Sequence, residues 1–227
     1  MKLTAWLFTW IGAALIAAMG WIIPWVTYGL DDGPITDAAI AIRDEPDRAG
    51  FGALPALYGT YGWIVIGVLI VACGAFAMFS GPRDRWVAVV GYVVFAGLLA
   101  VGAFGTYGDS SGRTWDETLT FYGALAAAVV MVLMAVLSIR GSAFLGAIPA
   151  ALAALVGLAW SIWFVAAAPQ AGVVTVSVLG WALPVAHLLA LLGALISIAI
   201  AGRNKSAAPS PTAPRAPAPA PTSSPPF

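Results

Sequence analysis

An all-α bundle of six membrane-crossing helices is the fold class this sequence predicts, and three observations predict it. Hydrophobic residues make up 61% of the 227-residue chain, charged residues only 9%, and mean hydropathy is +0.95. No soluble domain of this size keeps so apolar a chain dispersed in water. The apolar residues also fall into six long runs with almost no charge inside them. Finally, the runs are apolar on all sides rather than alternating. In lipid every backbone N–H and C=O needs an internal partner, so spans are helices or closed barrels. Helices take about 20 apolar residues to cross a core of about 30 Å, whereas barrel strands take about 10 and alternate. Helices are therefore expected.

The spans read as 5–25, 61–80, 86–107, 118–139, 142–168 and 174–201, within a transmembrane domain over 1–206. The first, with Lys2 before it and Ala17-Ala18-Met19-Gly20 within it, loosely matches a cleavable signal peptide. Bulky Trp6 and Trp10, and continuation through Trp21, Ile22 and Ile23, favour an uncleaved anchor. The outer loop 26–60 follows, and its stretch 36–42 is expected to make two helical turns capped by Thr36 and stopped before Pro46. Gly81-Pro82-Arg83-Asp84-Arg85 divides the second span from the third. A second outer loop, 108–117, ends in Thr114-Trp115-Asp116-Glu117, a capping box that starts the fourth span. Arg140-Gly141 is so short a break that spans four and five must form an antiparallel hairpin. The last two spans exceed the minimum, so they are expected to tilt, or to bend near Pro149 and Pro184.

Charge sets the orientation. Alternating six spans puts Lys2, Arg83, Arg85, Arg140, Arg203, Lys205 and Arg215 on one side, against Arg43, Arg48 and Arg113 on the other. Basic loops stay cytoplasmic, so both termini are expected inside. All the acidic residues except Asp84 then fall outside, and the zero net charge hides a dipolar split. The tryptophans fit an aromatic belt, with Trp21, Trp25, Trp63, Trp115, Trp160, Trp163 and Trp181 at outer ends and Trp6, Trp10 and Trp86 at inner ones. Within the belt, Trp160, Trp163 and Trp181 are the aromatics that would face a lipid or quinone ligand. The Gly67, Gly74, Gly97, Gly102 and Gly105 positions, with Ala147, Ala150, Ala151 and Ala154, offer smooth faces for close helix packing.

The tail 207–227 holds eight of the sixteen prolines and one charge. It is expected to be a disordered, cytoplasmic Pro/Ala-rich tether, since it has no apolar pattern to fold around. Heavy use of Ala, Gly, Val, Pro and Arg suggests a GC-rich bacterial genome and hence a bacterial inner (plasma) membrane.

Candidate chemistry is sparse. His187 is the functional intramembrane residue to test, because a buried imidazole is costly unless paired. The preferred reading gives it a local bond to a carbonyl freed by Pro184 or to a nearby hydroxyl, since no embedded charge stands ready to relay a proton. Cys73, Met131 and Met134 would complete a soft copper set with His187 only if they converged, so neither a metal nor a cofactor is expected. Catalytic, nucleotide and calcium-loop motifs are absent from the sequence, as is any basic patch for nucleic acid. The sequence thus predicts a non-enzymatic accessory or scaffold subunit, with the bilayer, complex partners or further copies of itself as neighbours. The alternative is a small permease or carrier of lipids and other hydrophobic molecules, with its site near the Pro184/His187 break.

Overall fold

The computed structural model describes residues 2–28, 31–35, 62–77, 79, 84–107, 115–167, 169 and 174–206. Among these are six α-helices: α1 (Lys2–Trp21), α2 (Trp63–Phe76), α3 (Arg85–Tyr107), α4 (Trp115–Ile139), α5 (Ala147–Ala167) and α6 (Ala182–Ser206). Five of the helical stretches are long and apolar enough to cross a membrane. The exception is α2, whose 14 residues reach only about 21 Å at about 1.5 Å per residue, less than the expected span 61–80. The tail 207–227, stretch 36–42 and cap residue Thr114 lie outside the described residues.

Contacts fix how neighbouring helices run. Gly20 lies against the Trp63 ring, Gly67 against Ile16, and Gly74 against Thr9, so α1 and α2 are antiparallel. Gly12 meets Ala186 and Ala190 while Gly193 meets Ala5 and Thr9, which makes α1 and α6 antiparallel too. In lipid such approaches rest on van der Waals packing between small residues, because lipid tails are as apolar as leucine. On α5 the buried positions Ala147, Ala150, Ala154, Gly157, Ser161 and Phe164 recur every three or four residues, one stripe of a helix. Together α1, α2, α5 and α6 form a four-helix core.

The α3–α4 pair is a hairpin set against α2. At one end Phe76 touches Tyr92 and Phe95, with ring centroids 5.4 and 6.0 Å apart. Buried Tyr92 donates its hydroxyl to the Cys73 carbonyl at 3.5 Å. There too Arg85 Nη1 donates to the Ile139 carbonyl at 3.4 Å, satisfying a terminal acceptor of α4. At the other end Phe104 and Phe121 pack edge-to-face at 5.3 Å.

The predicted tight break between α4 and α5 is present. Gly141 has φ +77°, its N–H donates to the Ser138 carbonyl at 2.9 Å, and that of Ser142 donates to Leu137 at 3.0 Å. That is the Schellman arrangement, which needs a left-handed residue just past the helix and therefore favours glycine.

Three findings correct the sequence reading. First, the molecule is not purely helical. Val26–Tyr28 (β1), Asp31–Gly33 (β2) and Val174–Val176 (β3) form an antiparallel sheet in the order β2-β1-β3. Its register pairs Val26 with Gly33 and Val176, and Thr27 with Asp32 and Thr175. The expected sixth span 174–201 therefore begins with a strand, followed by a 3₁₀ turn over Val178–Trp181. Second, Pro149 and Pro184 are each the third residue of their helix. There a proline forfeits no intrahelical hydrogen bond, so neither is a break. Third, Trp25 and Trp63 are core residues rather than belt residues, at 2% and 3% exposure. Trp25 donates its indole N–H to the Met19 carbonyl at 2.8 Å and stands edge-on to Phe164 at 6.0 Å. By contrast Trp21, Trp163, Trp181, Trp6, Trp10 and Trp86 are exposed, as a belt requires.

Candidate functional site

Tyr92 apart, several of the buried polar side chains described in the helices bond to their own helix. Thr9 Oγ1 donates to Ala5 at 3.0 Å, Ser138 to Met134 at 2.7 Å, and Ser161 to Leu158 at 2.9 Å, each to a carbonyl three or four residues back. His187 follows the same pattern. It is wholly buried, and its Nδ1 lies 2.9 Å from the Leu183 carbonyl. A carbonyl only accepts, so Nδ1 carries the proton and Nε2 holds the lone pair of the neutral ring. Pro184, in the first turn, frees no carbonyl of its helix, and the acceptor is that of Leu183, four residues before His187. Gly157 of α5 faces Cδ2 and Nε2 so closely that a Cβ there would collide with the ring, and Ile66 of α2 closes the same spot. The sequence pattern gave no sign of the Gly157–His187 contact.

Of the soft-ligand candidates, Cys73 and Met131 are buried in one apolar cluster, with Met134 packed against it. His187 sits instead with Ile66 and Leu183 in the core around α1 and α6. No group of three or more His, Cys, Asp or Glu residues gathers among the described residues. Trp160 is half-buried against the four-helix core, while Trp163 and Trp181 are about half exposed on its surface.

A sizeable cavity lies elsewhere. It has a volume of about 440 Å³ between α2 and the α3–α4 hairpin. Trp21, Ile64, Val65, Val68, Phe95, Leu98, Leu99, Gly102, Ala103, Thr106, Thr120 and Ala124 line it. Neither His187 nor any of the three tryptophans singled out from the sequence is among them. Its size is within the roughly 300–1,000 Å³ usual for small-molecule sites. The hairpin packs on α2 through Phe76, Tyr92 and Phe95 at one end and through Ala103, Phe121 and Ala124 against Val65 at the other, and the cleft lies along this seam.

Neither a protein-family model, nor a curated protein, nor a solved structure matches this chain. Any functional reading therefore rests on the geometry alone.

Proposed function

We propose that the chain is a non-enzymatic, multi-pass protein of a bacterial plasma membrane, acting as an accessory or scaffold subunit of a membrane complex. One observation carries the reading. Thr9, Ser138, Ser161 and His187 each spend a polar atom on a carbonyl of their own helix, so these bonds are made within helices and not toward a space shared between them. A side chain engaged in this way orders its helix and is poorly placed to handle a substrate.

The membrane setting draws support from five helices of sufficient length and from exposed apolar faces such as Val90, Val93, Leu98 and Val101 on α3. Six crossings with both termini inside draw support from the antiparallel contacts of α1 with α2 and of α1 with α6, and from the distribution of Lys and Arg. On that topology the three-stranded sheet lies outside and α2 is the short crossing. A carrier working at Pro184 and His187 has less support, since Pro184 leaves its helix unbroken and Gly157 is closed over the ring.

The test is purification of the full chain in mild detergent from its native membrane. An accessory subunit should copurify with one partner at fixed stoichiometry, and deleting its gene should lower that partner's abundance. A lone particle that drives solute flux in proteoliposomes would overturn the reading in favour of the permease.

A further inference from the structure

We infer that the cleft between α2 and the α3–α4 hairpin is a binding site for one acyl chain of a membrane lipid, entered sideways from the bilayer. The inference rests on membrane embedding and is independent of the scaffold role. Three properties of the cleft select this occupant.

Its polarity runs one way. The lining is apolar along Val68, Phe95 and Leu99, and its side-chain polar atoms come from Trp21, Thr106 and Thr120, all at the sheet-bearing end. An amphiphile with its headgroup at the membrane surface and its tail inward has the same gradient, and indole rings favour that surface level.

Its length fits one leaflet. From Phe95 to Thr106 the lining follows α3 for about 16 Å at about 1.5 Å per residue, and half of a hydrocarbon core is about 15 Å.

Its shape suits a slender guest. The volume of about 440 Å³ is spread along this whole length, which suits an unbranched chain more closely than a helix about 10 Å across. Away from its Trp21, Thr106 and Thr120 end the cleft offers water no polar partners, which favours an apolar occupant drawn from the bilayer.

Gly102 supplies the means of testing this. A Cβ at Gly102 meets nothing within 4 Å, and Gly102 lines the cleft. Gly97, on the same helix, is equally open but lies outside the cleft, so it serves as a matched control. The full-length protein is placed in vesicles of phosphatidylethanolamine and phosphatidylglycerol with a trace of phospholipid bearing a diazirine midway along one acyl chain. After illumination, labelled residues are mapped by mass spectrometry. Labelling should concentrate on Leu99, Ala103 and Ala124, and fall several-fold in Gly102→Leu while remaining unchanged in Gly97→Leu. Val68→Phe fills the cleft from the opposite wall and should have the same effect, so a folding defect in either variant leaves the other to decide. Label spread evenly over the exposed residues of α3 and α4, or unaltered by both filling variants, would overturn the inference. So would disulfide-linked pairs of Gly102→Cys chains, which would mean that a second copy occupies the cleft.

Discussion

His187 shows how one residue can look functional in sequence and yet be held structurally. Its ring fills the notch left by Gly157 and is bonded to Leu183. An amide can also donate and accept, so His187→Gln should keep the fold and melt close to wild type. His187→Leu should cost on the order of 1 kcal/mol, the usual scale for hydrogen bonds within a membrane. Gly157→Ala should cost more, about 1–3 kcal/mol, because its methyl group must displace a buried ring. Combined with His187→Ala it should cost much less than the sum of the two single changes. Thermal unfolding in detergent measures all of these, with His187→Ala alone as the fifth variant. Additive losses would separate the two positions, and lost activity at normal stability in His187→Gln would restore a chemical role. Trp25 makes a parallel case. Trp25→Phe keeps the contact with Phe164 but strips the Met19 carbonyl of its donor, and should destabilise by about 1–3 kcal/mol. A Phe variant as stable as wild type would show that the ring alone matters.

At the scale of elements, the sheet joins the chain after α1 to the chain before α6, two helices that already pack along their length. Trp25 links them further, because its carbonyl accepts the Ser177 N–H at 3.0 Å and its own N–H donates to Gly33 at 3.1 Å. The Ser177 bond makes Val26 and Val176 a non-hydrogen-bonded pair, the kind with the closest Cα atoms, about 4.5 Å. That separation suits a disulfide. Val26→Cys with Val176→Cys should therefore oxidise to an intramolecular bridge, while Cys73 is buried and takes no part. In sealed cells a membrane-impermeant phosphine should reduce the bridge, and cleavage only after detergent would put the sheet inside. The sheet was hard to read from the sequence for a physical reason. Val26-Thr27-Tyr28 and Val174-Thr175-Val176 do have the β-branched and aromatic residues that strands prefer. Three residues, however, cannot display alternation, and both runs adjoin apolar stretches that read as helix. Pro184 was misjudged similarly, because its effect depends on where the helix starts, and the strand moved that start forward. The long spans were legible because apolarity over 20 residues is decisive by itself. The cleft was not, because it arises from how the hairpin packs on α2: Gly97, Gly102 and Gly105 read as faces for close helix packing, yet a Cβ at any of them would meet nothing within 4 Å.

For the whole molecule, the remaining question is which end faces the cytoplasm, and the charges answer it more strongly than the fold does. The helix contacts are symmetric under inversion of the membrane, since antiparallel packing of α1 with α2 and α6 is the same from either side. Lys and Arg break that symmetry: Lys2, Arg85, Arg140, Arg203 and Lys205 lie at or just beyond the helix ends opposite the sheet. On the proposed topology, with basic segments retained in the cytoplasm, the sheet lies outside together with the acidic loops. Substituted cysteines make this measurable, because the native Cys73 is buried and silent toward polar reagents. An impermeant maleimide added to intact cells should label Asp37→Cys and Ser111→Cys, and should reach Ser142→Cys and Ser206→Cys only after permeabilisation. Ser142 is the sharper of the inner probes, as it sits beside Gly141 in the turn between α4 and α5 and is only partly exposed. Labelling of Ser142→Cys and Ser206→Cys but not Asp37→Cys in sealed cells would invert the topology, and the headgroup of a lipid in the cleft would then belong to the inner leaflet. Labelling of Asp37→Cys, Ser142→Cys and Ser206→Cys but not Ser111→Cys would instead remove one crossing, and the short α2 is the element that would have failed to span.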